Sequence, residues 1–177
     1  MILGAVLAGG QSSRFGSDKA LAMLGGRSLL SGAVAALAGQ CDAVVVIGRD
    51  AAEVACLPDR PRAGMGPLGG IAAALHHAAD NGYDTVLTAS VDSHGLDHDT
   101  VRQLAPAPAF CDSQPVIGLW PASAAPVLDA LLARDTKHSL RAFAELVGAR
   151  PAALSRVPHN INTPADLAAA EEHAHGL

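Results

Sequence analysis

Residues 7–19, Leu-Ala-Gly-Gly-Gln-Ser-Ser-Arg-Phe-Gly-Ser-Asp-Lys, gather the anion-binding chemistry of this chain into one short stretch. Glycines let a backbone approach a ligand closely and turn successive N–H groups toward anionic oxygens. Arg14 and Lys19 add charge that reaches the same anion from farther along the loop. The chain has ten arginines and only two lysines, Lys19 and Lys137, so a lysine beside this loop stands out from its background. Two common nucleotide fingerprints do not describe the stretch. G-x-x-x-x-G-K-[ST] fails because Gly16 is followed by Ser17, and G-x-G-x-x-G does not occur within it.

The elements around the loop place it at the end of a strand. Two apolar runs rich in β-branched residues, Ile2–Leu7 and Ala43–Ile47, are separated by an Ala/Leu-rich stretch at 28–39 that is long enough for a helix. A second helix is expected at 70–79 and a second-half strand at 84–91, so strands and helices alternate as in a parallel sheet covered on both faces. Farther along, the pattern predicts a strand at 115–120, helices at 123–133 and 139–147, a weak strand at 152–157 and a final helix. Thr163-Pro164-Ala165-Asp166 opens that helix: the threonine hydroxyl caps, the proline suits the first position, and the aspartate favours the positive end of the helix dipole. Residues 105–109 read as a loop, and Asp97 or Asp99 as the cap of a helix from Thr100.

Composition narrows the function. At 177 residues the chain has the length of one domain, expected to run from 1 to 177, and half of it is hydrophobic. A formal charge of −5 argues against a polyanion-binding face, and five aromatic residues are too few for a base-stacking platform, so no nucleic acid is expected as a partner. The apolar runs fall far short of the ~18 residues a membrane span needs, and no leader-like segment is visible, which predicts a cytoplasmic protein away from membranes. Cys41, Cys56 and Cys111 form neither a disulfide framework nor a C-x-x-C pair.

Leu-Ala-Gly-Gly-x-Ser-x-Arg-x-Gly-x-Asp-Lys-Ala-Leu after a first strand resembles the signature of the molybdenum cofactor guanylyltransferases, within the wider nucleotidyltransferases of Rossmann-like fold. Gly66-Pro67-Leu68-Gly69-Gly70 resembles that family's Gly-Pro-Leu-x-Gly segment, and Asn160-Ile161-Asn162-Thr163-Pro164-Ala165-Asp166-Leu167 its C-terminal Asn-x-Asn-Thr-Pro-x-Asp-Leu. The resemblance implies a three-layer α/β fold with a mostly parallel central sheet. It implies transfer of GMP from GTP to the terminal phosphate of molybdopterin, with Mg²⁺, and transient contact with proteins that make or receive the cofactor. Carried over by position, Leu7, Ala8, Gly9 and Gly10 would form the nucleotide loop, Arg14 and Lys19 would hold phosphates, Asp59 would contact the nucleotide, and Asp92 would bind the metal. Arg14, Lys19 and Asp92 are thus the expected catalytic group.

The chemistry is coherent on its own terms. Joining two phosphates brings anions together, so the catalyst needs positive charge at the α-phosphate and leaving pyrophosphate more than a strong base. A carboxylate at the carboxyl end of a central strand sits where ligands of open α/β sheets gather. Two positions depart from the family pattern: His94 stands where a proline follows the metal aspartate, and Gly48-Arg49 stands where an asparagine often ends the second strand.

Other readings stay open. His94 and His98 with Asp92, Asp97 and Asp99 could suit a transition metal, although solvated loop residues are the better default. Asn160 and Asn162 read equally as turn formers or as ligands to metal or acceptor. Arg134, Lys137, His138 and Arg141 read as an acceptor-phosphate site or a solvated helix face. Two alternatives compete with the guanylyltransferase: a cytidylyltransferase or other nucleotidyltransferase with a different phosphorylated acceptor, and a nucleotide-binding protein without catalysis. Gly10 bears on the first, since cytidylyl relatives more often read Leu-Ala-Ala-Gly there.

Overall fold

The computed structural model describes residues 1–10, 15–50 and 52–175. In chain order the elements are β1 (Ile2–Leu7), a 3-10 turn (Lys19–Leu21), β2 (Met23–Leu24), β3 (Arg27–Ser28), α1 (Leu29–Ala38), β4 (Ala43–Ile47), β5 (Ala55–Leu57), α2 (Pro67–Asp80), β6 (Thr85–Ser90), β7 (Ser93–His94) and α3 (Thr100–Leu104). There follow β8 (Ala109–Cys111), β9 (Gly118–Pro121), a second 3-10 turn (Ala122–Ala124), α4 (Ala125–Leu132), α5 (Leu140–Leu146), β10 (Arg150–Ala152), β11 (His159–Asn160) and α6 (Pro164–His175).

Seven strands form one sheet in the order β10-β8-β9-β6-β1-β4-β5. β1 lies at its centre, parallel to β4 (Leu3 opposite Ala43) and to β6 (Ile2 opposite Thr85). Strands buried on both faces must be apolar throughout rather than alternating, which is how β1 and β4 read in the sequence. Leu3, Ala5 and Leu7 face a layer built by α2, α4 and α5, while Val6 faces the opposite layer with Leu30, Val34 and Leu37 of α1 and Leu104 of α3. The mostly parallel sheet with helices on both faces is the expected α/β architecture. Among the described residues no helix is long and apolar enough to cross a membrane.

Where the elements differ from expectation, tertiary pairing is the cause. β9 begins at Gly118, later than predicted, because residues 114–117 turn back from β8 through Cys111 N–H to Ile117 O at 2.8 Å. It also runs antiparallel to both β6 and β8. The weak strand expected at 152–157 lies instead at Arg150–Ala152, parallel to β8 at the sheet edge, where Pro151 can do without an N–H. β8 itself occupies part of the supposed loop, and β5 had no sequence signal. α2 starts at Pro67, in the first-turn position where the missing amide donor is not needed. Asp99 occupies the position before α3, but its carboxylate meets the Gln103 and Arg102 side chains rather than capping the backbone. Thr163 and Asp166 do cap α6 reciprocally: Asp166 N–H donates to Thr163 Oγ1 at 3.2 Å, and Thr163 N–H to Asp166 Oδ2 at 2.8 Å.

The second-half core turns on Trp120, fully buried beside Phe143 with ring centroids 5.0 Å apart, its Nε1–H donating to Thr88 Oγ1 at 3.0 Å. The indole lies over Gly118, where an added Cβ would come within 2.4 Å of Trp120 Cζ2. Gly118→Ala should therefore destabilise the protein by roughly 2–3 kcal/mol through overpacking. Urea unfolding followed by the fluorescence of this single tryptophan measures it, and an unchanged midpoint would refute the packing argument.

Candidate functional site

The carboxyl ends of β1, β4 and β6 open onto a cavity of about 1440 Å³, whose rim includes Leu7, Gly9, Gly10, Gly48, Asp59 and Asp92. Backbone lines part of it, at Gly9, Gly10 and Gly48, where added bulk is partly excluded. A Cβ on Gly48, which has φ +83°, would lie 2.6 Å from Gly9 Cα, so the end of β4 and the glycine loop touch main chain to main chain. Ala8 N–H donates to Ile47 O at 3.0 Å, extending the β1–β4 ladder into the loop. A smaller hollow of about 140 Å³ continues over Ala8, Asp18, Lys19 and Asp92.

Lys19 and Asp92 meet there. Lys19 Nζ lies 3.0 Å from Asp92 Oδ1, with the lysine side chain 12% exposed and the aspartate 28%. Lys19 is carried on the 3-10 turn that Asp18 caps, the Asp18 carboxylate accepting from Ala20 N–H at 3.2 Å. Its ammonium also stands over the Phe15 ring, 5.9 Å from the centroid. Asp92 lies two residues past the end of β6. Its N–H donates to Ser90 Oγ at 3.2 Å, and its carbonyl accepts from His94 N–H at 3.1 Å and from Ile161 N–H at 3.0 Å.

That last bond brings the C-terminal segment to the site. β7 and β11 pair antiparallel, His159 opposite His94 and Asn160 opposite Ser93, which sets Asn160 on the cavity wall. A proline at position 94 would lose one of the two N–H groups that meet the Asp92 carbonyl, that of His94, and leave the one from Ile161. His98 pairs with its neighbour Asp97, and among the described residues no group of three His, Cys, Asp or Glu side chains could hold a metal, so the transition-metal reading fails.

Asp59 lies among glycines. Cβ atoms placed on Gly9, Gly48 and Gly70 would each approach its carboxylate oxygens at 3.6–3.7 Å, so the absence of side chains leaves the acid facing the cavity. Burial pushes its pKa up, and it has no hydrogen-bond or ion-pair partner among the described residues. A partly buried carboxylate of this kind, facing a cavity, can accept N–H donors from a ligand.

The second-half segments give the cavity wall polar groups from Ser113, Gln114, Ser139, Arg141 and Asn160 beside apolar Pro115, Val116 and Leu140. Arg141 is braced on Asp112, at 3.2 Å to Oδ1 and 3.0 Å to the carbonyl, and lies over the Phe110 ring. Gln114 links this wall to the Asp92 loop, accepting from Ser93 Oγ at 3.2 Å and donating to Pro158 O at 2.5 Å. Of the basic group named from the sequence, only Arg141 lines the cavity; Arg134 and Lys137 are exposed elsewhere, and His138 keeps a buried Nδ1 with no hydrogen-bond partner. Arg14 lies outside the described residues. Sequence reasoning missed Gln114 and Ser113, whose roles exist only through the β8–β9 turn. It also overlooked a G-x-G-x-x-G string at Gly64, Gly66 and Gly69, which leads into α2 and contributes Gly64 and Gly66 to the cavity wall.

Residues 4–158 match the family described as MobA-like NTP transferase domain. A molybdenum cofactor guanylyltransferase of Rhizobium leguminosarum bv. trifolii is 40% identical, across 99% of this chain and 94% of that protein. One from Rhodobacter capsulatus is 39% identical, across 97% of this chain and 95% of that protein. In fold, the crystal structure of molybdopterin-guanine dinucleotide biosynthesis protein A from Archaeoglobus fulgidus superposes with a TM-score of 0.76 at 23% identity, covering 99% of this chain and 100% of that one.

Proposed function

The chain belongs to the MobA-like NTP transferase family, and we propose that it is a molybdenum cofactor guanylyltransferase, moving GMP from GTP to the terminal phosphate of molybdopterin. The acceptor phosphate oxygen attacks the α-phosphorus of GTP, a new P–O–P linkage forms, and the α–β bridging bond breaks to release pyrophosphate. No water or external base is consumed. The observation that carries the reading is the Lys19–Asp92 pair at the carboxyl end of the central strands, beside a backbone-lined hollow.

In this reading Gly9 and Gly10 let the triphosphate approach the main chain, with Leu7 and Ala8 setting the loop at the end of β1. Lys19 holds the α-phosphate region and offsets charge that builds there, and Arg14 is assigned to the same phosphates from its place in the sequence. Asp92 suits Mg²⁺ of the kind that arrives with a nucleotide: among the described residues it joins no cluster of three metal-ligating side chains, and magnesium is commonly held by one or two carboxylates with phosphates and waters completing its shell. When bound, Mg²⁺ neutralises oxygens of the phosphates. The wall from the second-half segments, with Arg141 and Asn160, takes the acceptor.

Asp59 supports guanine over cytosine. Guanine presents N1–H and an exocyclic N2 amine on one edge, two donors for the two oxygens of a carboxylate, whereas cytosine offers only its N4 amine there. Asp59→Asn should weaken GTP binding by about 10- to 100-fold and narrow the preference over CTP, because leaving ligand donors unmatched in a partly buried site is costly. The sign with pH follows from burial: only the ionised acid accepts both bonds, its pKa is raised, and GTP affinity should fall as acidification reaches that raised pKa. Thermal shift with GTP and CTP, with and without Mg²⁺, tests the assignment. Selective stabilisation by GTP with Mg²⁺ is expected, while a CTP preference would move the protein to the cytidylyl alternative.

A further inference from the structure

We infer that Arg49 is a positioning residue that clasps Asp18 and thereby sets the Lys19 turn against the nucleotide. The guanidinium meets the Asp18 carboxylate with both prongs, Nη1 to Oδ1 at 3.0 Å and Nη2 to Oδ2 at 2.7 Å, a bidentate geometry that fixes orientation as well as distance. Arg49 follows Gly48, and Gly48 touches Gly9 main chain to main chain. Both ends of the loop, Gly9 and Asp18, are therefore pinned to one dipeptide at the end of β4. Beyond the clasp, the same Asp18 carboxylate caps the turn at Ala20 N–H, and Lys19 reaches Asp92. The linkage thus runs from Arg49 through Asp18 and the turn to the lysine ammonium. Arg49 also lines the nucleotide side of the cavity, so the clasp and a direct contact with the ligand are two different roles that the same residue could fill. The bonds favour the clasp, since both Nη atoms are committed to Asp18.

The inference rests on Lys19 being the phosphate group, and two measurements separate its failure from the failure of that reading. The first is GTP affinity with Mg²⁺ in a double-mutant cycle. Arg49→Ala should weaken binding about tenfold in the wild-type background and less than about twofold in Lys19→Ala, because an effect transmitted through Lys19 disappears when Lys19 is gone. Arg49→Lys, a point charge without the fork, should recover only part of the loss. A tenfold loss that persists in Lys19→Ala would make Arg49 a direct nucleotide contact and overturn the clasp. The second is amide exchange in the nucleotide-free protein: Arg49→Ala and Arg49→Lys should speed exchange at Ala20, Leu21 and Ala22 by about tenfold and by less, respectively, with β1 and β6 unchanged. Unchanged exchange at those three amides also overturns it. Should wild-type protein bind no GTP, the functional reading falls, and the exchange data still decide the clasp.

Discussion

Lys19→Ala should lower the rate of pyrophosphate release from GTP and molybdopterin by about 10²- to 10³-fold while leaving the protein folded. Removing one pre-placed donor from developing charge typically costs that much, because no solvent group takes over at equal strength in a partly closed site. The loss has a second source in this chain. Lys19 also neutralises Asp92 at 3.0 Å, so its removal leaves a carboxylate, unscreened by the ammonium, beside the incoming triphosphate. Both effects oppose the reaction, and GTP affinity should drop together with turnover. Lys19→Arg should retain part of the activity, since charge survives but the shape of the donor does not. Turnover of Lys19→Ala within threefold of wild type would remove the lysine from the phosphate site.

Asp92→Asn should cost about 10³-fold in turnover and have the opposite sign on metal-free nucleotide binding. The substitution keeps the size of the side chain, and the loop is held through backbone groups, by Ser90, His94 and Ile161, so the fold should survive. What is lost is one negative charge. Without Mg²⁺, GTP should bind Asp92→Asn more tightly than wild type, because like charges no longer face each other; with Mg²⁺, the gain that wild type shows should shrink. Calorimetry with and without chelator measures both. Equal magnesium dependence in the two proteins would take the metal away from Asp92.

The candidate site was unevenly legible in the sequence. Lys19 and the glycines next to β1 announced themselves, because a loop leaving a fully apolar strand with one rare lysine has few other uses. Asp92 was legible for a similar reason, as the first charge after a buried strand. Arg49 was visible only as an unexpected residue at the end of β4, and its pairing with Asp18 joins positions 31 residues apart that no local pattern relates. Gln114 is a stronger case. Its contacts to Ser93 and Pro158 depend on the β8–β9 turn, and β8 lies partly in residues that read as a proline-rich loop. Short strands such as β8 and the edge strands β5 and β10 owe their conformation to the neighbours they pair with, so propensity has little to say about them.

The amino-acid sequence by itself determined the parallel centre of the sheet and the loop that follows its first strand. Both are written in continuous segments, apolar strands followed by glycines, whose pattern is local. Only the tertiary structure decided which side chains share the cavity. It turned β9 antiparallel, paired Lys19 with Asp92, set Asn160 opposite Ser93 on the cavity wall through the β7–β11 pairing, selected Arg141 from four basic candidates and left Asp59 framed by three glycines. The reason is physical: strand pairing and close main-chain approach are contacts between distant segments, fixed by the packing of the whole sheet rather than by any one stretch of chain.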